Sequence, residues 1–241
     1  MHGFPGATAV SRLRVYDWPT MDGLHGGSPH LHTVSAEGYV VLGGRGAVQT
    51  LSGEGYDEQP LAPGVMLWFT PGTVHRLVND GELDILVVMQ NAGLPEAGDA
   101  VLTFPPEILN DPSSYARAAS LPAQDAGDDA LHRAARARRD LAIQGYLDLR
   151  ERVFADGPGA LKELYASAAA LVAGRTVEWR RRWRDGALAQ AEATGAQLDA
   201  LAAGCGDHLA ASVVRRVEAE PPPPRYGMCG RLQVWPRPEH G

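Results

Sequence analysis

The chain has 241 residues, of which 44% are hydrophobic and 21% charged, and this is the composition of a globular protein large enough to bury a core. No apolar run approaches the roughly 18 residues that a membrane-spanning helix requires, so the sequence predicts no membrane span. Residues 1–120 carry 5 Lys and Arg against 13 Asp and Glu, whereas residues 121–241 carry 17 against 16, and this acidic balance excludes nucleic acid as an expected partner.

At the start of the chain, residues 1–6 lack the basic residues, apolar stretch and cleavage site of a secretory signal. The two cysteines, Cys205 and Cys229, are too few for a disulfide framework or a four-cysteine zinc site. We therefore expect a cytoplasmic protein with free thiols.

From residue 12 to residue 90, short apolar runs alternate with Gly, Pro, Asn and Asp. The predicted strands include residues 39–42, 47–51, 66–69 and 83–89. The predicted breaks between strands are residues 43–44, 53–55, 63–64, 71–72 and 79–81. Short strands with this even spacing predict a β-sandwich or barrel.

The second half of the chain has helical patterns. Asp111 and Pro112 predict the N-cap and first residue of a short helix. Further on, apolar residues at helical spacing form one stripe: Ala142, Ile143, Tyr146, Leu147, Leu149, Val153 and Phe154. After breaks at residues 157–159 and 174, we expect helices at 160–173, 176–203 and 207–218. We interpret this region as a layer that covers one face of the sheet or as a dimer surface.

The predicted organisation therefore has four segments. A β-barrel occupies residues 1–95, and a connecting segment with a short helix occupies residues 96–124. An α-helical region follows at residues 125–220. A proline-rich linker and a terminal strand that returns to the barrel complete the chain at residues 221–241.

Four residues of the first half form a candidate metal site. His30 and His32 are two apart, so in a strand they project from the same face. A tight turn after His32 would bring Glu37 beside them, and a barrel could place His75 opposite this pair. Imidazole and carboxylate ligands suit divalent first-row metals, and four of them leave two octahedral positions open.

These residues also resemble the motifs of the cupin superfamily. The first motif, a glycine followed by His-x-His, Glu and Gly, is matched by Gly26 or Gly27, His30, His32, Glu37 and Gly44. The second motif is matched by Gly64, Pro71, Gly72, His75 and Asn79, with Pro71 one place later than usual. The resemblance implies a jelly-roll barrel, the double-stranded β-helix, in a mainly β chain with a C-terminal α-helical extension. It also implies one divalent ion, Fe, Mn, Ni or Zn, held by His30, His32, Glu37 and His75.

Two residues are candidates for a catalytic role beside the metal. Strand alternation turns Tyr39 inward together with Glu37, where its hydroxyl could orient a substrate oxygen. His25 lies in the glycine-rich approach to the histidine strand and is a candidate base at the barrel mouth. The alternative interpretations are an aromatic core residue for Tyr39 and an exposed loop residue for His25.

Three functions remain open from the sequence. The first is an Fe(II) or Mn(II) dioxygenase acting on a small organic molecule. The second is a non-redox isomerase, epimerase or lyase in which the same ion polarises a sugar or carbonyl compound. The third is a cupin that binds a ligand without turnover. A homodimer is expected on general grounds.

Two further features have a structural and a functional interpretation. The arginines at positions 180–182 and 184 could clamp an anion, but their spacing with Trp179 and Trp183 favours a solvated helix face. Cys229, between glycines near the end of the chain, could reach the barrel, although a buried inert thiol is the simpler interpretation.

Overall fold

A computed structural model describes residues 4–236, and within this range the chain forms one antiparallel sheet of nine strands, with α-helices between the seventh and the eighth strand. Residues 1–3 and 237–241, which belong to the predicted barrel and terminal segments, lie outside the described residues. The strands are, in chain order, β1 (Ala9–Val15), β2 (His30–His32), β3 (Glu37–Ser52), β4 (Gly55–Leu61), β5 (Met66–Phe69), β6 (Val74–Met89), β7 (Ala100–Leu102), β8 (Arg225–Tyr226) and β9 (Gly230–Val234).

The sheet is organised around β3 and β6, which pair with each other along their lengths. The main order is β4-β3-β6-β1-β9-β8, while β5 pairs with β3 and β2 pairs with both β6 and β7. Its inner face buries an apolar cluster that includes Leu13, Val41, Leu61, Leu77 and Ile85. This architecture is the expected jelly-roll barrel with a helical extension.

Glycines bend the two long strands without ending them. The β3–β6 register shifts between residues 41 and 46. Gly44 has a φ of +71°, and a Cβ there would lie 2.2 Å from the carbonyl oxygen of Glu82. The predicted strand breaks at residues 43–44 and 79–81 are therefore wrong, because a bulge lets the same strand continue in a new direction.

Six α-helices follow the main body of the sheet in the described residues. They are α1 (Pro106–Leu109), α2 (Pro112–Ala119), α3 (Asp128–Asp156), α4 (Lys162–Val172), α5 (Thr176–Trp183) and α6 (Ala189–Ala202). The Asp111 carboxylate caps α2 by accepting from the amides of Ser113 and Ser114, as predicted. No helix within residues 4–236 combines the length and the apolar character needed to cross a membrane.

The helices cover the outer face of the barrel. Ala142 and Tyr146 of α3 pack in one buried cluster with Leu31, Leu51 and Val74 of the sheet. Gly145 of α3 packs directly on the backbone that follows β7, because a Cβ at this position would lie 2.2 Å from the carbonyl oxygen of Thr103. Five of the seven residues of the predicted apolar stripe of α3 are buried, whereas Leu147 is partly buried and Phe154, at the end of the stripe, is 61% exposed.

Two predicted helices differ from the structure. The helix predicted at 176–203 is interrupted by a π-helical turn, Arg184–Leu188. The helix predicted at 207–218 is wrong. A 3₁₀ turn spans Asp207–Ala211, and residues 212–218 are not helical. Val213 and Val214 are 70% and 99% exposed, so this segment buries no apolar face that would stabilise a short helix.

The arginine-rich helix α5 has the solvated arrangement. Trp179 is buried, whereas Arg181 and Arg182 both pair with Glu178, at 2.7 and 3.0 Å. Exposed ion pairs of this kind contribute little to stability. Two of its three arginines are therefore engaged with a carboxylate of their own helix, as expected for a solvated face.

Strands that follow the predicted barrel segment in the sequence also pair with the barrel. In the segment predicted as a connection, β7 pairs with β2, with Ala100 opposite His32. Near the C-terminus, β9 pairs with β1. The carbonyl of Met228, between β8 and β9, accepts hydrogen bonds from both the amide and the hydroxyl of Ser28.

Candidate metal centre

The four predicted ligands meet at the start of three strands. His30 and His32 lie in β2, Glu37 is the first residue of β3 and His75 is the second residue of β6. His75 pairs directly with His30 across β2 and β6. It therefore lies on the neighbouring strand, not opposite the histidine pair as expected from the sequence. All four side chains are buried.

Their ligating atoms converge on one point. The Nε2 atoms of His30 and His75 are 3.1 Å apart. Glu37 Oε2 lies 3.0 Å from His75 Nε2 and 3.3 Å from His32 Nε2. One ligating atom from each of the four residues lies within 4.8 Å of those of all the others.

This set fits a divalent metal ion. Metal–nitrogen bonds of about 2.1 Å put neighbouring octahedral ligands about 3 Å apart, which matches the contacts between these atoms. Glu37 Oε2 is buried without a hydrogen-bond partner. The Nε2 atoms of His30 and His75 cannot both carry a proton at 3.1 Å, so at least one lone pair faces the other ring. A cation would satisfy all three atoms.

The outer nitrogens of two rings are fixed by backbone carbonyls. His30 Nδ1 lies 3.0 Å from the carbonyl oxygen of Ser28, and His75 Nδ1 lies 3.1 Å from that of Thr73. A carbonyl oxygen only accepts, so each Nδ1 carries the proton and each Nε2 presents its lone pair to the set. This tautomer is the one that binds a metal through Nε2.

Asp99 also contacts the set, and this residue was not predicted from the sequence. Its fully buried carboxylate accepts hydrogen bonds from the amides of Thr33, Val34 and Ser35, in the turn between His32 and Glu37. Its Oδ2 lies 3.5 Å from His32 Nδ1. Asp99 belongs to no motif, and only the pairing of β2 with β7 brings it to this place.

Burial and the neighbouring charges shift the pKa values of His30, His32 and Glu37. Burial acts to lower the pKa of His32, but contacts with Asp99 and Glu37 outweigh it and raise this pKa to about 9. Burial acts to raise the pKa of Glu37, but His75 and His32 hold it well below its usual range. Burial and the neighbouring rings lower the pKa of His30, which is therefore a neutral ligand.

The structure brings only one of the two catalytic candidates to the set. Tyr39 is 1% exposed, and its hydroxyl is buried without a hydrogen-bond partner. Its ring lies edge-on to Phe69, which in turn stacks on His75 at 4.2 Å. His25 has an exposed side chain, and its carbonyl accepts a hydrogen bond from Asn79.

Cys229 lies behind the histidines in the hairpin of β8 and β9. Its Sγ is buried and lies 3.8 Å from His30 Nδ1. Gly27 allows this approach, because a Cβ at that position would lie 2.4 Å from Cys229 Cα. Burial raises the pKa of the Cys229 thiol, which is therefore neutral.

The comparison with known families agrees with this geometry. Residues 20–89 match the family model of the cupin domain, and this segment contains all four converging residues. Residues 20–89 of the chain are therefore a cupin domain, as the sequence motifs predicted.

Solved structures resemble parts of the chain. A putative sugar phosphate isomerase of Acidithiobacillus ferrooxidans is 33% identical over 26% of this chain and 40% of its own, with a TM-score of 0.23. The Streptomyces nucleoside dehydratase Pac13 is 16% identical over 41% of this chain and 69% of its own, with a TM-score of 0.32. A TDP-fucose-3,4-ketoisomerase of Campylobacter jejuni is 12% identical over 37% and 64%, with a TM-score of 0.31.

The match to the sugar phosphate isomerase thus spans less than half of that chain, 40% of its length. No curated protein shows significant similarity to this chain.

Proposed function

We propose that the protein is a metal-dependent enzyme acting on a small organic molecule, and that it is an Fe(II) or Mn(II) dioxygenase. The observation that supports this is the convergence of three Nε2 atoms and one carboxylate oxygen from His30, His32, Glu37 and His75. Four protein ligands leave two octahedral positions, enough for a substrate and dioxygen side by side. When bound, the ion would supply the electron transfer that dioxygen chemistry requires.

The chain's own residues orient the site and keep water out. Phe69 covers one face of the His75 ring, and Tyr39 closes the space beside it. Burial and, to a lesser extent, the Glu37 carboxylate raise the pKa of Tyr39 well above its usual range. Tyr39 therefore stays protonated, and its unpartnered hydroxyl can donate a hydrogen bond to an oxygen atom of the substrate.

The same groups disfavour a non-redox isomerase. Such a reaction needs a side chain that removes a proton from carbon and returns it. Tyr39 and Cys229, the phenol and the thiol beside the set, both have raised pKa values and are not bases near neutral pH. His25, the other candidate base, has an exposed side chain.

Elemental analysis followed by nitric oxide binding tests the proposal. We expect about one Fe per chain after anaerobic reconstitution with Fe(II), and nitric oxide, a stand-in for dioxygen, should then give an electron paramagnetic resonance signal. Glu37→Ala should abolish both, whereas His25→Ala, outside the set, should keep both. A chain that binds Fe(II) but gives no nitric oxide signal would exclude the dioxygenase and favour Lewis-acid chemistry. A chain that binds no metal would leave a ligand-binding cupin.

We also propose a cytoplasmic homodimer, on the grounds given by the sequence. Sedimentation velocity of the purified chain measures the assembly directly. A monomer at micromolar concentration would contradict it.

A further inference from the structure

The three histidines of the set are oriented in two different ways. His30 and His75 each face a neutral carbonyl two residues earlier in the chain. His32 instead faces the carboxylate of Asp99, which follows it by 67 residues in the sequence. The acceptor behind His32 is therefore the one that carries a negative charge.

Asp99 is held firmly in this position. The side chain is fully buried, and both carboxylate oxygens accept hydrogen bonds from the turn that follows His32. The donors are Thr33 N at 2.7 Å, Thr33 Oγ1 at 2.6 Å and Val34 N at 2.8 Å to Oδ1, and Ser35 N at 3.0 Å to Oδ2. Such a carboxylate is ionised and has little freedom to move.

The backbone fixes the same juxtaposition independently. Ala100, the residue after Asp99, is the β-sheet partner of His32. Before it, Gly98 has a φ of +91°, and a Cβ there would lie 2.0 Å from the Arg175 guanidinium. The strand register and this turn together place Asp99 beside His32.

We propose that Asp99 is a positioning residue of the metal centre: His32 Nδ1 is buried without a hydrogen-bond partner, 3.5 Å from Asp99 Oδ2, and with a metal bound it donates its proton to this oxygen, which directs His32 Nε2 into the set. This inference rests on the proposed function, because it requires a metal at the four residues. A negatively charged acceptor makes the ring a stronger donor than a carbonyl does, so His32 is the strongest of the three histidine ligands. Asp99 lies outside the matched cupin segment 20–89, so the residues that follow this segment complete its site.

A double-mutant cycle with Co(II) as the probe tests this inference. Asp99→Asn keeps the size of the side chain and one oxygen for the turn amides, but it removes the charge behind His32. We expect Co(II) affinity, measured by calorimetry and visible absorption, to fall about 10- to 100-fold. In a His32→Ala background, Asp99→Asn should lower the Co(II) affinity by less than about threefold, because the ring on which Asp99 acts is absent. The control Thr33→Val, which removes only a hydroxyl contact to Asp99, should stay within about threefold of the wild type.

The outcomes separate the two proposals. A wild-type chain that binds no Co(II) overturns the proposed function and this inference with it. A wild-type chain that binds Co(II) with an unchanged affinity in Asp99→Asn overturns the inference alone. An equal loss in both backgrounds also overturns it, since Asp99 would then act only on the turn.

A measurement on the wild-type protein covers the case in which Asp99→Asn does not fold. In the Zn(II)-loaded, ¹⁵N-histidine-labelled protein, we expect His32 to coordinate through Nε2 and to show a hydrogen-bonded Nδ1 proton. Coordination of His32 through Nδ1, or a missing Nδ1 proton, would overturn the inference.

Discussion

Two buried polar clusters lie on opposite faces of β6, at neighbouring residues. His75 points into the barrel toward the converging ligands, and Arg76 points the other way, toward the helical layer. Both side chains are fully buried. Arg76 donates to both oxygens of Asp22, at 2.6 and 3.0 Å, and also to Thr20 and Gln49.

The difference is in how each cluster satisfies its polar atoms. In the Arg76 cluster, the two terminal guanidinium nitrogens meet carboxylate, hydroxyl and amide acceptors, and Arg76 Nε alone of the three guanidinium nitrogens has no hydrogen-bond partner. Around His75, lone pairs face one another, and Glu37 Oε2 has no hydrogen-bond partner. One cluster therefore stabilises the fold, and the other has the chemistry of a binding site.

The largest expected effect comes from His75→Ala. Removing one of four ligands should abolish stoichiometric metal binding, because the remaining three present an incomplete set. The metal-free variant should still fold, since the change also removes the close contact with His30 Nε2. Elemental analysis and a thermal melt measure both quantities. Retention of one ion per chain would contradict the site.

The matched change on the other face is Arg76→Met. It leaves Asp22 without its buried partner, so the free energy of unfolding should fall by about 3 kcal/mol. The folded variant should still bind one metal ion, because Arg76 does not contact the ligands. Urea denaturation and elemental analysis test this pair of expectations. Loss of the ion from folded Arg76→Met would show that the two clusters are not independent.

Metal affinity should also depend on pH. The pKa of His32 is about 9, so below that pH a metal must displace its proton, and affinity should fall about tenfold for each unit from pH 9 to 7. Calorimetric titration with Mn(II) across this range measures the slope. A flat profile would show that His32 binds no metal.

The same group affects the metal-free fold. Its pKa is raised from 6.5 to about 9, so the stabilisation is complete below pH 6.5 and is lost as pH rises through 9. Burial acts to raise the pKa of Asp22, but Arg76 outweighs it and holds this pKa well below its usual range. The Arg76 cluster should therefore contribute the same stability throughout this interval.

The smallest expected effect comes from Tyr39→Phe. The hydroxyl is buried and unpartnered, so its removal should raise the free energy of unfolding by about 1 kcal/mol and leave Mn(II) affinity unchanged. A thermal melt of the metal-free protein provides the measurement. Destabilisation would show that the hydroxyl makes a hydrogen bond in the folded chain.

The sequence predicted the parts of this site that local spacing determines. Two histidines two apart in a strand must share a face, a tight turn was expected to bring Glu37 beside them, and a barrel was expected to bring His75; the cupin motifs contain the same four residues. Strand alternation also predicted the inward direction of Tyr39, which is buried. The predictions for the histidine pair and for Tyr39 depend only on the period of an extended chain.

Features that depend on long-range pairing were not predictable in this way. Asp99 reaches His32 because β7 pairs with β2, and the sequence contains no signal for that pairing. The breaks expected at glycines 43 and 44 were wrong, because the sequence does not distinguish a glycine that ends a strand from a glycine at which a strand bends and continues. The segment after Ala211 was also mispredicted, because a short stretch of helix-favouring residues forms a helix only when it can pack against another part of the protein.

The hairpin of β8 and β9 has a consequence for the order in which the molecule assembles. During synthesis, the four ligands leave the ribosome long before Met228, whose carbonyl holds Ser28 next to the first histidine strand. The Ser28 carbonyl in turn orients His30. A nascent chain therefore contains every ligand before the hairpin can fix Ser28 and, through Ser28, the ring of His30.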